Sequence, residues 1–268
     1  MSRSRQSGDV VIRTLAATYS PGHVIPPHSH DWDQLLYASQ GVMTIHTSRG
    51  CWVVPPHRAA WIPAGVEHSV QMSGTVSLRT LYLFPRLSKS LPKDCCTVNV
   101  PPLLRELILD AVDRETLRRR IPSEARLISV MLDQIEGLPA APLQLPMPRD
   151  ARACRVAALL KANPAERRSL AQLVRQAGAS PRTIERIFRS ETNMAFGKWR
   201  QRLRLLHALR LLAADEPVTN VALETGYDST SAFISMFRRE LGTTPSRYHA
   251  DDQPSRGLLR RHSPTAWR

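Results

Sequence analysis

One short pattern is written twice within the last hundred residues, and it limits the possible folds of this chain more than any other feature. Leu170, Leu173 and Val174 stand eight, five and four positions before Gly178, and Val218, Val221 and Ala222 take the same offsets before Gly226. A serine follows each glycine, Ser180 in one copy and Ser229 in the other. Each serine is succeeded by an apolar pair spaced i, i+4: Ile184 with Phe188, and Phe233 with Phe237. Each copy therefore predicts two helices joined by a glycine turn, the second helix opening on a capping serine. A helix-turn-helix occurring twice points to a nucleic-acid ligand.

The charge agrees with this. Residues 149–268 hold 22 Lys/Arg against 11 Asp/Glu, a net of +11, whereas residues 1–148 hold 15 against 12, a net of +3. A domain this basic steers toward a polyanion. Charge alone also fits a solvated surface, and the repeated spacing decides for double-stranded DNA. In the first copy Ser180 caps and Pro181 occupies the first helical turn, so Arg182, Glu185, Arg186 and Arg189 point outward. Arginine can pair with guanine and a carboxylate can accept from cytosine, which makes Arg182, Glu185 and Arg186 the candidate base contacts. In the second copy Thr230, Ser231, Ile234, Ser235 and Arg238 face out, and Thr230, Ser231 and Ser235 complete the base-contact set. Arg189, Arg200, Arg238 and Arg239 are candidates for backbone phosphates, with packing or a solvated charge as the alternative. Between the copies Phe196, Trp199, Leu203, Leu206 and Leu209 predict one long amphipathic helix.

Residues 10–85 read instead as many short strands broken by Gly and Pro, which favours a sandwich or barrel. From Pro101 the period changes to helical. Leu103, Leu104, Leu107, Ile108, Ala111 and Val112 share one face, and Leu127, Ile128, Met131 and Ile135 form another. These helices either associate with a second copy or pack on the strands, or do both. Residues 138–149 hold four prolines and read as a semi-extended linker. Asp150 can cap a helix carrying Val156, Leu159 and Leu160.

Residues 150–249 resemble the DNA-binding domain of AraC/XylS-type transcription regulators. The resemblance rests on Leu170-x2-Leu173, Gly178-x-Ser180-x-Arg182-x-Ile184-x-Arg186-x-Phe188, Trp199-x4-Arg204, Leu211-Leu212, the run Gly226-Tyr227-Asp228-Ser229-x-Ser231-x-Phe233-x3-Phe237, and Gly242, Thr244-Pro245 and Tyr248. Val174 departs from it, since an alanine is usual there. The resemblance implies two helix-turn-helix subdomains whose recognition helices enter successive major grooves, about 34–36 Å apart. Residues 10–85 resemble cupins through Gly22-x5-His28-x-His30-x3-Gln34-x6-Gly41 and Pro63-x-Gly65-x2-His68. In metal cupins two histidines, a glutamate and a further histidine converge, which maps onto His28, His30, Gln34 and His68. A His-x-His pair on a strand puts both imidazoles on one face, and neutral imidazole suits a divalent transition metal. Gln34 stands where the anionic glutamate is usual. Three readings stay open: a metal site, a histidine-lined effector pocket, or structural histidines. Trp32, Tyr37, Trp52 and Trp61 either wall such a pocket or pack the core.

The expected fold is α+β in two domains. Residues 1–90 form a cupin-like effector-sensing barrel, 91–137 a helical dimerisation segment and 138–149 a linker. Residues 150–250 form the all-α double helix-turn-helix domain, and 251–268 a basic tail without fixed structure. The expected function is a sequence-specific transcriptional regulator modulated by a small-molecule effector, acting as a homodimer, with RNA polymerase as a further partner. A metal-responsive regulator is the alternative, followed by a metal-dependent cupin enzyme tethered to DNA. Gln34 and the lack of another catalytic constellation weigh against an enzyme. The only cofactor suggested is the divalent transition metal. Cys51, Cys95, Cys96 and Cys154 form no CxxC pair. The first residues lack an apolar signal core, and no stretch approaches a membrane span. The expectation is a cytoplasmic protein with no membrane partner.

Overall fold

The structure is a computed structural model describing residues 9–250 apart from 86, 88–90, 139, 142 and 177. The expected unstructured tail, 251–268, lies outside the described residues. The chain divides into two compact units, one reaching Gln144 and the other beginning at Leu145, with Arg49–Cys51 grouped in the second.

The first unit is an antiparallel sheet with two helices. Its strands are β1 (Val10–Tyr19), β2 (Val24–His28), β3 (Asp33–Thr47), β4 (Gly50–Val54), β5 (Arg58–Ile62), β6 (His68–Leu83) and β7 (Cys96–Asn99). Helix α1 (Pro102–Arg114), β8 (Thr116–Arg118) and α2 (Pro122–Glu136) follow. The 16-residue β6 pairs with β1, β2 and β3. The strand path runs β8-β1-β6-β3-β5-β7 and on to β9 (Ala140–Ala141). Its two ends do not pair among the described residues, so the sheet is open where a closed barrel was expected.

Alternation along β3 builds two cores. Leu35 and Tyr37 join Trp61, Leu81 and Leu83 on one face, and Leu36, Ala38, Met43 and Ile45 join Trp52, Ile62, Val70, Met72 and Leu78 on the other. Burial on both faces explains the near-continuous apolar runs of this segment, where a half-exposed strand would alternate. Three of the four aromatic candidates, Tyr37, Trp52 and Trp61, are buried in these cores. The helices do pack on the strands. Leu104, Ile108 and Ala111 of α1 and Ile128, Met131 and Ile135 of α2 all pack in the first core, whereas Leu103, expected on the same face, is exposed. Segment 91–137 is thus part of the sheet's own unit.

Residues 138–149 differ from the semi-extended linker expected. Ala140–Ala141 pairs with β7, the Val53 N–H donates to the Leu143 carbonyl at 3.2 Å, and Gln144–Pro146 forms a further short strand, β10. Prolines fix extended dihedrals that suit the edge of a sheet as well as a free tether.

The second unit is helical: α3 (Ala151–Ala162), α4 (Leu170–Leu173), α5 (Pro181–Thr192), α6 (Phe196–Ala213), α7 (Val218–Glu224), α8 (Thr230–Leu241) and α9 (Pro245–Ala250). Asp150 caps α3, accepting from the Arg152 N–H at 2.9 Å. α4 is a single turn continued by a 3-10 segment, Val174–Gln176, so the leading helix of the first repeat is shorter than its pattern suggested. Ser180 and Ser229 cap α5 and α8, accepting from the N–H groups of Thr183 and Ala232. Ile184, Phe188, Phe233 and Phe237 are fully buried, and Trp199 of α6 packs edge-on against Phe188 at 5.1 Å.

The two turn glycines have positive φ, 65° at Gly178 and 75° at Gly226, but unequal space. A Cβ at Gly178 meets nothing within 4 Å, whereas one at Gly226 would lie 2.8 Å from the Ala165 carbonyl oxygen and against the Arg204 guanidinium. Gly178→Ala should lower stability by the dihedral term, roughly 1–2 kcal/mol. Gly226→Ala should lower it further, with a clearly larger fall in denaturation midpoint. His207 of α6 is held down to about 4 by burial, helped by Arg210. The folded protein leaves it neutral while the unfolded chain protonates near pH 6.5, so its contribution to stability is lost as pH falls from about 6.5 toward 4. His207→Leu should flatten the stability–pH curve in that window, by less than the roughly 1.4 kcal/mol per pH unit of a fully shielded group.

Candidate effector and nucleic-acid sites

The register of β6 assembles the histidine cluster. His28, the last residue of β2, is the cross-strand partner of His68, and Gln34 of β3 is the partner of Tyr82. His30 lies beyond β2, so the His-x-His pair is not carried by one strand as expected. The loop turns the ring inward instead. The ligating nitrogens of His28, His30 and His68 all lie within 4.8 Å of one another. The structure thus brings together all four positions singled out in the sequence.

Hydrogen bonds fix how each ring is presented. Nδ1 of His28 meets the Pro26 carbonyl at 2.9 Å, Nδ1 of His30 the Trp32 carbonyl at 2.7 Å, and Nδ1 of His68 the Val66 carbonyl at 2.9 Å. A carbonyl can only accept, so each Nδ1 carries the proton and the neutral ring keeps its lone pair on Nε2. Thr80 makes the same logic binding for Gln34. Its hydroxyl donates to the Leu35 carbonyl at 3.2 Å and so must accept from the Gln34 amide nitrogen at 3.1 Å. Gln34 Oε1 therefore faces His30 Nε2, 2.9 Å away. In that hydrogen bond the amide oxygen accepts from the imidazole, and with a cation in place of the proton the same two atoms can ligate it.

His68 sits 1% exposed with its Nε2 lacking any hydrogen-bond partner among the described residues. Burial, reinforced by the neighbouring His28 and His30, holds it at about 4, so it is neutral near pH 7. An orphaned, buried, unprotonated imidazole nitrogen aimed at two others is a fitting donor set for a divalent transition metal. Thr80 and Tyr82 were missed in the sequence. Positions 68, 70, 72 and, further along β6, 78, 80 and 82 face one core, and that alternation is the signal that would have found them. Trp32 stays part-exposed, stacked edge-on against Phe84 with the Arg13 guanidinium 4.5 Å over its ring.

In the helical unit, Arg182, Arg186 and Arg189 lie exposed along α5, and Ser231, Ser235 and Arg238 along α8, with Thr230 half-buried. None of the side chains of Arg182, Arg186, Arg189 and Arg238 makes a hydrogen bond or ion pair among the described residues. Arg239 lies 3.5 Å from Glu240. Glu185 is exposed but accepts from the Phe196 N–H at 3.4 Å, at the start of α6, where a carboxylate complements the helix dipole. Arg200 takes the packing role among those the sequence left open. Its guanidinium donates to the Arg168 carbonyl at 2.8 Å and also to that of Glu166, so these donors tie α6 to the 164–168 loop. Arg204 acts alike, donating to the carbonyls of Pro164 at 3.1 Å and Glu166 at 2.8 Å.

Comparison with known proteins places both units. Residues 11–131 match the AraC-like ligand binding domain, and residues 173–251 a helix-turn-helix domain. The chain is 39% identical over 225 residues to the HTH-type transcriptional regulator NimR of Escherichia coli K12, covering 84% of this chain and 82% of that protein. It is 38% identical over 135 residues to the HTH-type transcriptional regulator RipA of Corynebacterium glutamicum, covering 50% of this chain and 37% of that protein. Among solved structures, the DNA-binding domain of AdpA in complex with a target DNA aligns at 37% identity and TM-score 0.36, over 38% of this chain and 92% of that one. No described helix is long and apolar enough to cross a membrane. The chain belongs to the AraC family of HTH-type transcriptional regulators, with a ligand-binding unit followed by a DNA-binding unit.

Proposed function

We propose that the chain recognises operator DNA through two helix-turn-helix elements, α4–α5 and α7–α8, and that occupancy of the cluster His28, His30, Gln34 and His68 regulates this binding. The observation that carries the proposal is the exposed face of α5, where three arginines stand without internal partners on a helix whose opposite side is anchored by Ile184 and Phe188. Arg182 and Arg186 read bases. Arg189 and Arg238 hold phosphates, with Arg239 beside them, and the short hydroxyls of Ser231 and Ser235 suit contacts to phosphate and water. Glu185 positions the start of α6.

In the first unit we read the open sheet as a cupin-type cup. Its histidine cluster holds a divalent transition metal, supported by three Nε2 lone pairs converging beside an amide oxygen. His28, His30, His68 and Gln34 would be its ligands, and bound there it would supply a Lewis-acidic point for capturing an effector. The protein works as a regulator and catalyses no reaction in this reading. It works as a homodimer through the outer surfaces of α1 and α2, where Leu103 and Val130 are exposed.

Binding of full-length protein to duplexes selected from a random pool tests the DNA reading. Arg182→Ala and Arg186→Ala should each weaken the selected site by roughly 1–3 kcal/mol and relax preference at one position. Equal losses on every duplex, with a shallower salt dependence, would overturn the base-reading role. Arg200→Ala should lower the unfolding temperature and leave the salt slope unchanged.

A further inference from the structure

We propose that the histidine cluster takes a small carboxylate or other oxyanion as its effector, and that the neutrality of Gln34 sets this preference. The inference rests on the metal reading above and deepens it. All four protein donors are uncharged, being three imidazole lone pairs and one amide oxygen. Among the described residues no carboxylate or thiolate joins the group. Asp33, adjacent to Gln34, directs its Oδ1 to the Ala64 N–H at 2.9 Å. A divalent ion held here keeps its full double charge.

That charge would sit against an apolar wall. His68 and Gln34 are buried, and Val70, Met72, Leu36 and Ile62 occupy the same face of the sheet. Uncompensated charge in such surroundings is unfavourable, and an anion relieves it where a neutral molecule of the same shape does not. Gln34 is held between Thr80 and His30, and its amide carries no charge whichever of its two ends meets the imidazole. The negative charge the site lacks therefore comes from outside the protein, and binding at this place distinguishes acids from their neutral analogues.

The test uses full-length protein stripped with a chelator and titrated with Co²⁺, whose visible absorption reports ligand changes. Acetate and its neutral isostere acetamide are then added in parallel. One equivalent of Co²⁺ should bind, His68→Ala should abolish that binding, and acetate should perturb the spectrum at least tenfold more tightly than acetamide. In Gln34→Glu the new carboxylate should retain Co²⁺ and weaken the acetate response at least tenfold. If no Co²⁺ binds, the metal reading fails and this inference with it. If Co²⁺ binds but acetate and acetamide act alike, the anion preference is overturned while the metal site stands. An undiminished acetate response in a folded Gln34→Glu protein likewise overturns the role of Gln34. Should that variant not fold, the acetate–acetamide comparison on the unaltered protein decides.

Discussion

The register between β3 and β6 is the constraint on which the sensing unit depends. Side chains alternate along a strand, so a slip of one residue would exchange the two cores and turn the site outward. In the observed register Leu36 opposes Thr80 and Gln34 opposes Tyr82, while β2 brings His28 opposite His68 on the same long strand. The register is held by burial on both sides: Leu35 and Tyr37 commit to the helices, Leu36 and Ala38 to the other core. The polar chain through Thr80 is a by-product of that apolar pattern. Stability and ligand chemistry are thus set by the same pairings.

The helical unit rests on a comparable economy. α6 contributes Trp199 to the core and Arg200 and Arg204 to the carbonyls of the 164–168 loop. Long cationic side chains here satisfy main-chain acceptors that a loop otherwise leaves to water. The opposed arginines of α5 have no such partners. Two populations of arginine therefore coexist in one basic domain, separated by what their guanidinium groups touch. Net charge does not distinguish them.

The helical half was largely legible in the sequence, because its signals are local. Ser180 and Ser229 cap within three residues, and the pairs Ile184–Phe188 and Phe233–Phe237 declare their face through a short period. Arg200 was not legible, since its partners lie more than thirty residues away. The sheet was legible as strands and turns, yet not in its pairing, which is non-local. The four site residues emerged from motif spacing, while Thr80 and Tyr82 became visible only once β6 was known to run through the site. Residues 138–149 were read as a tether on proline content, and Leu143 shows why that fails: an extended segment can accept a sheet hydrogen bond as readily as hang free.

The 18-residue α6 has a consequence for how a chain of this kind can change over evolutionary time. It is continuous and buried along most of its length, so it cannot absorb an insertion by looping out. Adding one residue would advance everything beyond it by about 1.5 Å and swing it by about 100°. The element α7–α8 would then be turned to a different side from α5. Lengthening is therefore a discontinuous step, and the distance between α5 and α8 is inherited as a constant. Divergence in what such a protein reads must come from exchanging surface side chains, with the spacing left untouched.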